Sequence, residues 1–178
     1  KQEEVRVKIA ANGVCRSDAH HLDGDSCDVN LKYPLILGHE ASGIVESVGP
    51  GVTSVVPGDH VILLYCPQCL PGKECSRCGG TKTNSCEKDN FNTTSLMRDG
   101  TSRFRHNGQT VYHYCGISTF SEYTVAREAQ VAKINKEAPL DLVCLIGCCL
   151  GQGFGGAQHM AGVTEGSSCA IWGLGAIG

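Results

Sequence analysis

A chain of 178 residues, 41% hydrophobic and carrying a formal charge of −3, has room for one ordinary domain, or for one domain and the opening of a second. The mild acidity argues against a nucleic-acid partner, because a phosphate-binding surface needs concentrated Lys and Arg. No apolar run reaches the ~18–20 residues that span a bilayer, and the opening Lys-Gln-Glu-Glu-Val-Arg-Val-Lys-Ile lacks the apolar core of a signal peptide.

Val5, Val7 and Ile9 alternate with Arg6 and Lys8, which predicts a half-buried strand. Ile44 to Val48 is a second, stopped by Gly49-Pro50-Gly51. Pro57-Gly58-Asp59 turns into a third over His60 to Leu64, and the runs Tyr123 to Val125 and Val131 to Ile134 make two more. Short strands with Gly and Pro punctuation describe a β-rich body, a distorted barrel. Leu140 to Leu150 is mostly apolar and predicts a buried helix with Pro139 near its first turn. Ser168 to Trp172 then reads as a strand that runs into Gly173-Leu-Gly175-Ala-Ile-Gly178. A strand delivered into Gly-x-Gly-x-x-Gly opens a dinucleotide-binding unit, and the chain is expected to be a fragment that stops before the helix of that unit. Asn92-Thr93-Thr94 matches a glycosylation acceptor, a triplet common by chance.

The twelve cysteines carry most of the chemistry. Cys69, Cys75, Cys78 and Cys86 stand within 18 residues and include a Cys-x-x-Cys pair, so they can converge on one tetrahedral zinc. Thiols that share a metal deprotonate to bind it, so binding and local folding become one event. Such a closed lobe leaves no open coordination position, and any reaction belongs elsewhere. Cys66-x-x-Cys69 also has ligand spacing. An even number of cysteines permits a disulfide scaffold instead. The length, the missing signal and the histidines at ligand-like positions favour metal-bound thiolates in a reducing compartment, the cytoplasm.

Gly13-Val-Cys15-Arg16-Ser17-Asp18, Gly38-His39-Glu40 and Gly147-Cys148-Cys149 supply a second set of candidate ligands. Two thiolates and one imidazole make a zinc site with a fourth position open to substrate, where the metal can lower the pKa of a hydroxyl. Asp18 is placed to orient His39 through its second ring nitrogen. On spacing alone, Cys15 and Cys148 read first as small buried apolar residues, and a lone histidine as structural.

Taken together, these segments resemble the zinc-dependent medium-chain alcohol dehydrogenases. Val14–Asp18, Ile36–Glu40, Gly43–Thr53, Pro57–Ile62, Asp99–Phe104, Ser118–Val125 and Val143–Cys148 fall in that family's order over nearly the whole chain. The resemblance implies a mixed α/β fold. Residues 1–149 would form a β-rich GroES-like catalytic domain with its zinc lobe at about 66–86, and residues 150–178 the incomplete beginning of a Rossmann cofactor domain. It further implies two zinc ions and NAD. Cys15, His39 and Cys148 would hold a catalytic zinc with Glu40 beneath as an occasional ligand, and Cys69, Cys75, Cys78 and Cys86 a structural one. Ser17 would take the substrate proton and His20 pass it to solvent. Arg16 would meet the cofactor pyrophosphate, and Gly173, Gly175 and Gly178 would form the phosphate turn. The implied partners are a small alcohol or aldehyde and, at full length, a second copy of the chain.

This sequence departs from the family at several places. Five residues separate Cys69 from Cys75 where two are usual, Cys149 replaces a glycine, and Gln152 stands where a threonine meets the nicotinamide. The glutathione-adduct branch carries a tyrosine at the His20 position and an arginine soon after the last lobe cysteine. Here the sequence has His20 and Glu87-Lys-Asp-Asn90, which favours simple alcohols, although Gly116–Tyr123 stays close to that branch. An inactive zinc-binding fragment is the non-enzyme alternative.

Overall fold

The computed structural model of the chain describes residues 1–24, 31–72, 74–80, 86–88 and 95–178, and Asn92-Thr93-Thr94 falls outside them. Strand β1 (Glu4–Gly13) lies between two antiparallel neighbours, β3 (Glu40–Val48) and β7 (Tyr123–Arg127). β4 (His60–Leu63) and β8 (Val131–Lys133) extend the sheet, giving the order β7-β1-β3-β4-β8. A second sheet has the order β2-β6-β5, built from β2 (Leu35–Ile36), β5 (Phe104–His106) and β6 (Gln109–His113). The alternation in β1 does what period 2 requires: Val5 and Val7 are fully buried while Arg6 and Lys8 face solvent. Val45, Val61, Leu63, Ile117, Ala126 and Val131 complete the same core.

Five of the six strands read from the sequence, all those before Pro139, are present. Those it missed are short or paired at a distance, as β2 is with β6. β5 and β6 form a hairpin across Asn107-Gly108, both at positive φ (49° and 80°), an Asn-Gly turn whose signal was there to be read.

Two expectations at the C-terminal side need correction. Leu140 to Leu150 is not one buried helix. It comprises α2 (Leu140–Val143), a 3-10 turn (Cys144–Gly147) and α3 (Cys149–Gly155), which runs on into a π turn (Gly156–Met160). The stretches on either side of Cys148 meet at 56°, and Leu142, Ile146, Leu150 and Phe154 are exposed. The cause lies at Gly147, where backbone rather than a large side chain faces the sheet: a Cβ there would stand 2.5 Å from the Leu63 carbonyl oxygen. Pro139 does precede the first turn, at the N-cap. Ser168 to Trp172 is not a strand either. Neither sheet offers a neighbour to take its backbone hydrogen bonds, and Ile171 and Trp172 are exposed. Among the described residues no single helix is long and apolar enough to cross a membrane.

Candidate metal centres

The register of β1 on β3 places Gly13 opposite Glu40, so the end of one strand and the start of the other lie side by side. Cys15 follows the first strand and caps the helix α1 (Arg16–Asp23), while His39 precedes the second. Cys148 arrives from the bend between the two helical stretches. Cys15, His39, Glu40 and Cys148 thereby converge, with one donor atom from each lying within 4.8 Å of all the others.

Asp18 organises this cluster from beneath, at 1% exposure. Its Oδ1 accepts from the Gly38 N–H at 2.9 Å and lies 3.3 Å from His39 Nδ1, while Oδ2 accepts from the Cys15 N–H at 3.3 Å. That pairing assigns Nδ1 to the carboxylate and leaves Nε2 as the ligand atom. Gly38 makes the approach feasible: it sits at φ 91°, and a Cβ there would meet the Phe120 nitrogen at 2.5 Å. Two rings that the sequence did not single out, Tyr65 and Tyr114, stand edge-on to His39 with centroids 5.9 and 5.5 Å away.

The donor set fits a dication. Glu40 Oε1 is buried and has no hydrogen-bond partner. Burial first, and then the Cys15 and Glu40 groups beside it, push the Cys148 thiol far above its ordinary range. A bound cation reverses that balance. Ser17 Oγ lies 3.6 Å from Cys15 Sγ on the exposed side, and His20 stands half-buried one turn along α1. Arg16 is exposed at the start of that helix.

The second cluster joins Cys69, Cys75, Cys78 and Cys86, again with their donor atoms within 4.8 Å of one another. Cys69 and Cys86 sulfurs are 3.5 Å apart and Cys75 and Cys86 sulfurs 3.9 Å. A tetrahedral zinc with 2.3 Å bonds requires about 3.8 Å between sulfurs, so the spacing suits the metal. The Cys78 backbone N–H, 3.4 Å from Cys75 Sγ, is the main influence drawing that thiol down to about 6. The five-residue spacer after Cys69 does not keep the thiols apart, and Cys66 stands outside the group. Every described cysteine is a free thiol.

Gly173, Gly175 and Gly178 do not join either cluster. They line a cavity of about 480 Å³ with Gln152, Gly153, Gly156, Ala157, Ile171 and Trp172, and Arg16 is not on its wall. Gln152 also reaches the other way, donating from Nε2 to the Tyr65 hydroxyl at 2.7 Å.

The profile of the alcohol dehydrogenase GroES-like domain family matches residues 1–136. Two curated relatives named alcohol dehydrogenase class-3 are similar over 100% of this chain. The one from Caenorhabditis elegans is 51% identical, with 45% of its length covered; the one from Drosophila melanogaster is 50% identical, with 46% covered. The chain thus spans about half the length of the curated relatives it matches. Among solved structures, the benzyl alcohol dehydrogenase of Acinetobacter calcoaceticus superposes with a TM-score of 0.83 at 33% identity, covering 100% of this chain and 47% of that one. An alcohol dehydrogenase zinc-binding domain protein from Burkholderia ambifaria gives 0.82 at 33%, with 94% and 44% covered.

Proposed function

The chain belongs to the alcohol dehydrogenase GroES-like domain family, and on that premise we propose that it is the metal-holding part of a zinc-dependent, NAD-linked alcohol dehydrogenase. The observation that carries this reading is the mixed cluster of Cys15, His39, Glu40 and Cys148, with His39 oriented by a buried carboxylate. When bound, zinc supplies a Lewis acid to the substrate hydroxyl, and NAD accepts the hydride.

The chain's own residues do the rest. Cys15, His39 and Cys148 hold the metal, Glu40 lies beside it as an occasional ligand, and Asp18 fixes the imidazole. Ser17, next to Cys15 on the open side, takes the hydroxyl proton at Oγ. His20, three residues on and so on the same helix face, passes it to solvent. Cys69, Cys75, Cys78 and Cys86 hold a second zinc with no open position. Arg16 would meet the cofactor pyrophosphate, and Gly173, Gly175 and Gly178 would make the turn around it. On this reading residues 1–149 form the catalytic domain and 150–178 the opening of the cofactor domain. At full length the enzyme would work as a cytoplasmic homodimer on primary or secondary alcohols.

A second reading, oxidation of S-(hydroxymethyl)glutathione, draws support from the class-3 name of the two relatives and from the Gly116–Tyr123 stretch. Elemental analysis of the reduced chain tests the metal assignment: two zinc ions per chain are expected, and one or none refutes it. Comparing NADH formation from a primary alcohol and from the glutathione adduct, in a protein of the relatives' length that carries this chain, separates the two substrates.

A further inference from the structure

The contact between Gln152 and Tyr65 ties together two elements that carry metal donors. Gln152 lies one helical turn past Cys148, its backbone N–H donating to the Cys148 carbonyl at 3.1 Å. Its side chain crosses to Tyr65, 87 positions away in sequence, with a hydrogen bond of 2.7 Å. Tyr65 follows β4 and sets its ring edge-on to His39. A closed circuit results, from Cys148 through Gln152 and Tyr65 to His39 and back across the cluster.

The helix with Cys148 needs such a brace. It meets the preceding stretch at 56°, and Leu150 and Phe154 on it are exposed, so few apolar contacts fix its angle. Gly147 gives close approach at one end, to the Leu63 carbonyl, and Gly153 lies close to the Ile177 backbone. Between these two approaches the Gln152 side chain adds a directional hydrogen bond to Tyr65. Gln152 has the length to provide it, whereas a threonine at this position would not reach across.

We propose that Gln152 is a positioning residue for the mixed metal centre: through Tyr65 it fixes the direction from which Cys148 and His39 present their donors. This rests on reading Cys15, His39, Glu40 and Cys148 as a metal site. The test is titration of cobalt(II) into the reduced, metal-stripped 178-residue chain, followed by absorption. The two-thiolate, one-imidazole centre and the four-thiolate centre give separable bands, so the lobe is an internal reference. Gln152→Leu and Tyr65→Phe are each expected to weaken cobalt at the mixed centre about tenfold, the low end of the effect of residues that orient ligands, and to shift its ligand-field bands while the lobe signal stays. The double variant is expected to be no weaker than either single one, since both remove the same bond. Wild-type affinity and spectrum in Gln152→Leu, or losses that multiply in the double variant, overturn the proposal. Wild-type chain that fills the lobe and takes no cobalt at the mixed centre overturns the metal reading itself, and this inference with it.

Discussion

A single methyl group added at Gly147 tests how tightly the fold controls the mixed centre. In Gly147→Ala the new Cβ would stand 2.5 Å from the Leu63 carbonyl oxygen, where ordinary contact begins at 3.4 Å. A gap of about 0.9 Å must therefore open. Leu63 is fully buried and paired to Val131, so the strand side resists and the shift falls on the segment carrying Cys148. Metal donors tolerate roughly ±0.2 Å, several times less than the displacement required. The expected outcome is loss of one zinc per chain by elemental analysis, with the four-cysteine lobe still filled. Overpacking should also lower stability by about 1–3 kcal/mol in urea unfolding. Gly155→Ala is the control: nothing lies within 4 Å of a Cβ there, so zinc content should hold, and stability should be unchanged or rise by up to about 1 kcal/mol. Two zinc ions and an unchanged urea midpoint in Gly147→Ala would refute the reasoning.

Asp18→Asn keeps the shape and removes the charge that orients His39, so zinc affinity at the mixed centre should fall about 10- to 100-fold in a competition titration with a chromophoric chelator. Cys75→Ser removes a buried lobe ligand; one zinc should be lost and limited proteolysis should cut first between residues 69 and 86, while the mixed centre keeps its metal. His113 is fully buried against Phe104, and burial first, then the Arg103 charge, lowers its pKa from 6.5 to about 4. The unfolded chain therefore binds the extra proton between those values, so stability is present above pH 6.5 and is lost as pH falls toward 4, by about 3 kcal/mol in all. Urea midpoints of wild type and His113→Gln across that window should converge on acidification, and parallel slopes would exclude His113 as the cause.

Legibility in the sequence followed the range of the forces involved. β1 and β7 could be read because burial on one face leaves a period of two, β3, β4 and β8 as short apolar runs beside turn residues, and the lobe cysteines by their spacing, whereas Cys15, His39 and Cys148 stood out only through the family resemblance. The 140–150 segment misled because composition reports how apolar a stretch is and not which part of it faces the protein. Gly147, the smallest residue there, makes the closest approach while Leu142 and Leu150 look outward. Ser168–Trp172 has strand composition, but a strand needs a neighbour, and composition is silent on neighbours. The Gln152–Tyr65 bridge joins residues 87 positions apart and has no local signal at all.

The pairing of Gly13 with Glu40 has a consequence for how this chain can change over generations. The donors Cys15 and His39 sit just beyond the regularly paired stretch Ala11–Gly13 of β1, so losing one of those three residues would shift the register there and withdraw Cys15 from its partners. The spacer between Cys69 and Cys75 obeys no such rule: its thiols meet across a loop, and loop length costs little in closure entropy. Insertions and deletions should therefore accumulate in the lobe and be purged from the strand.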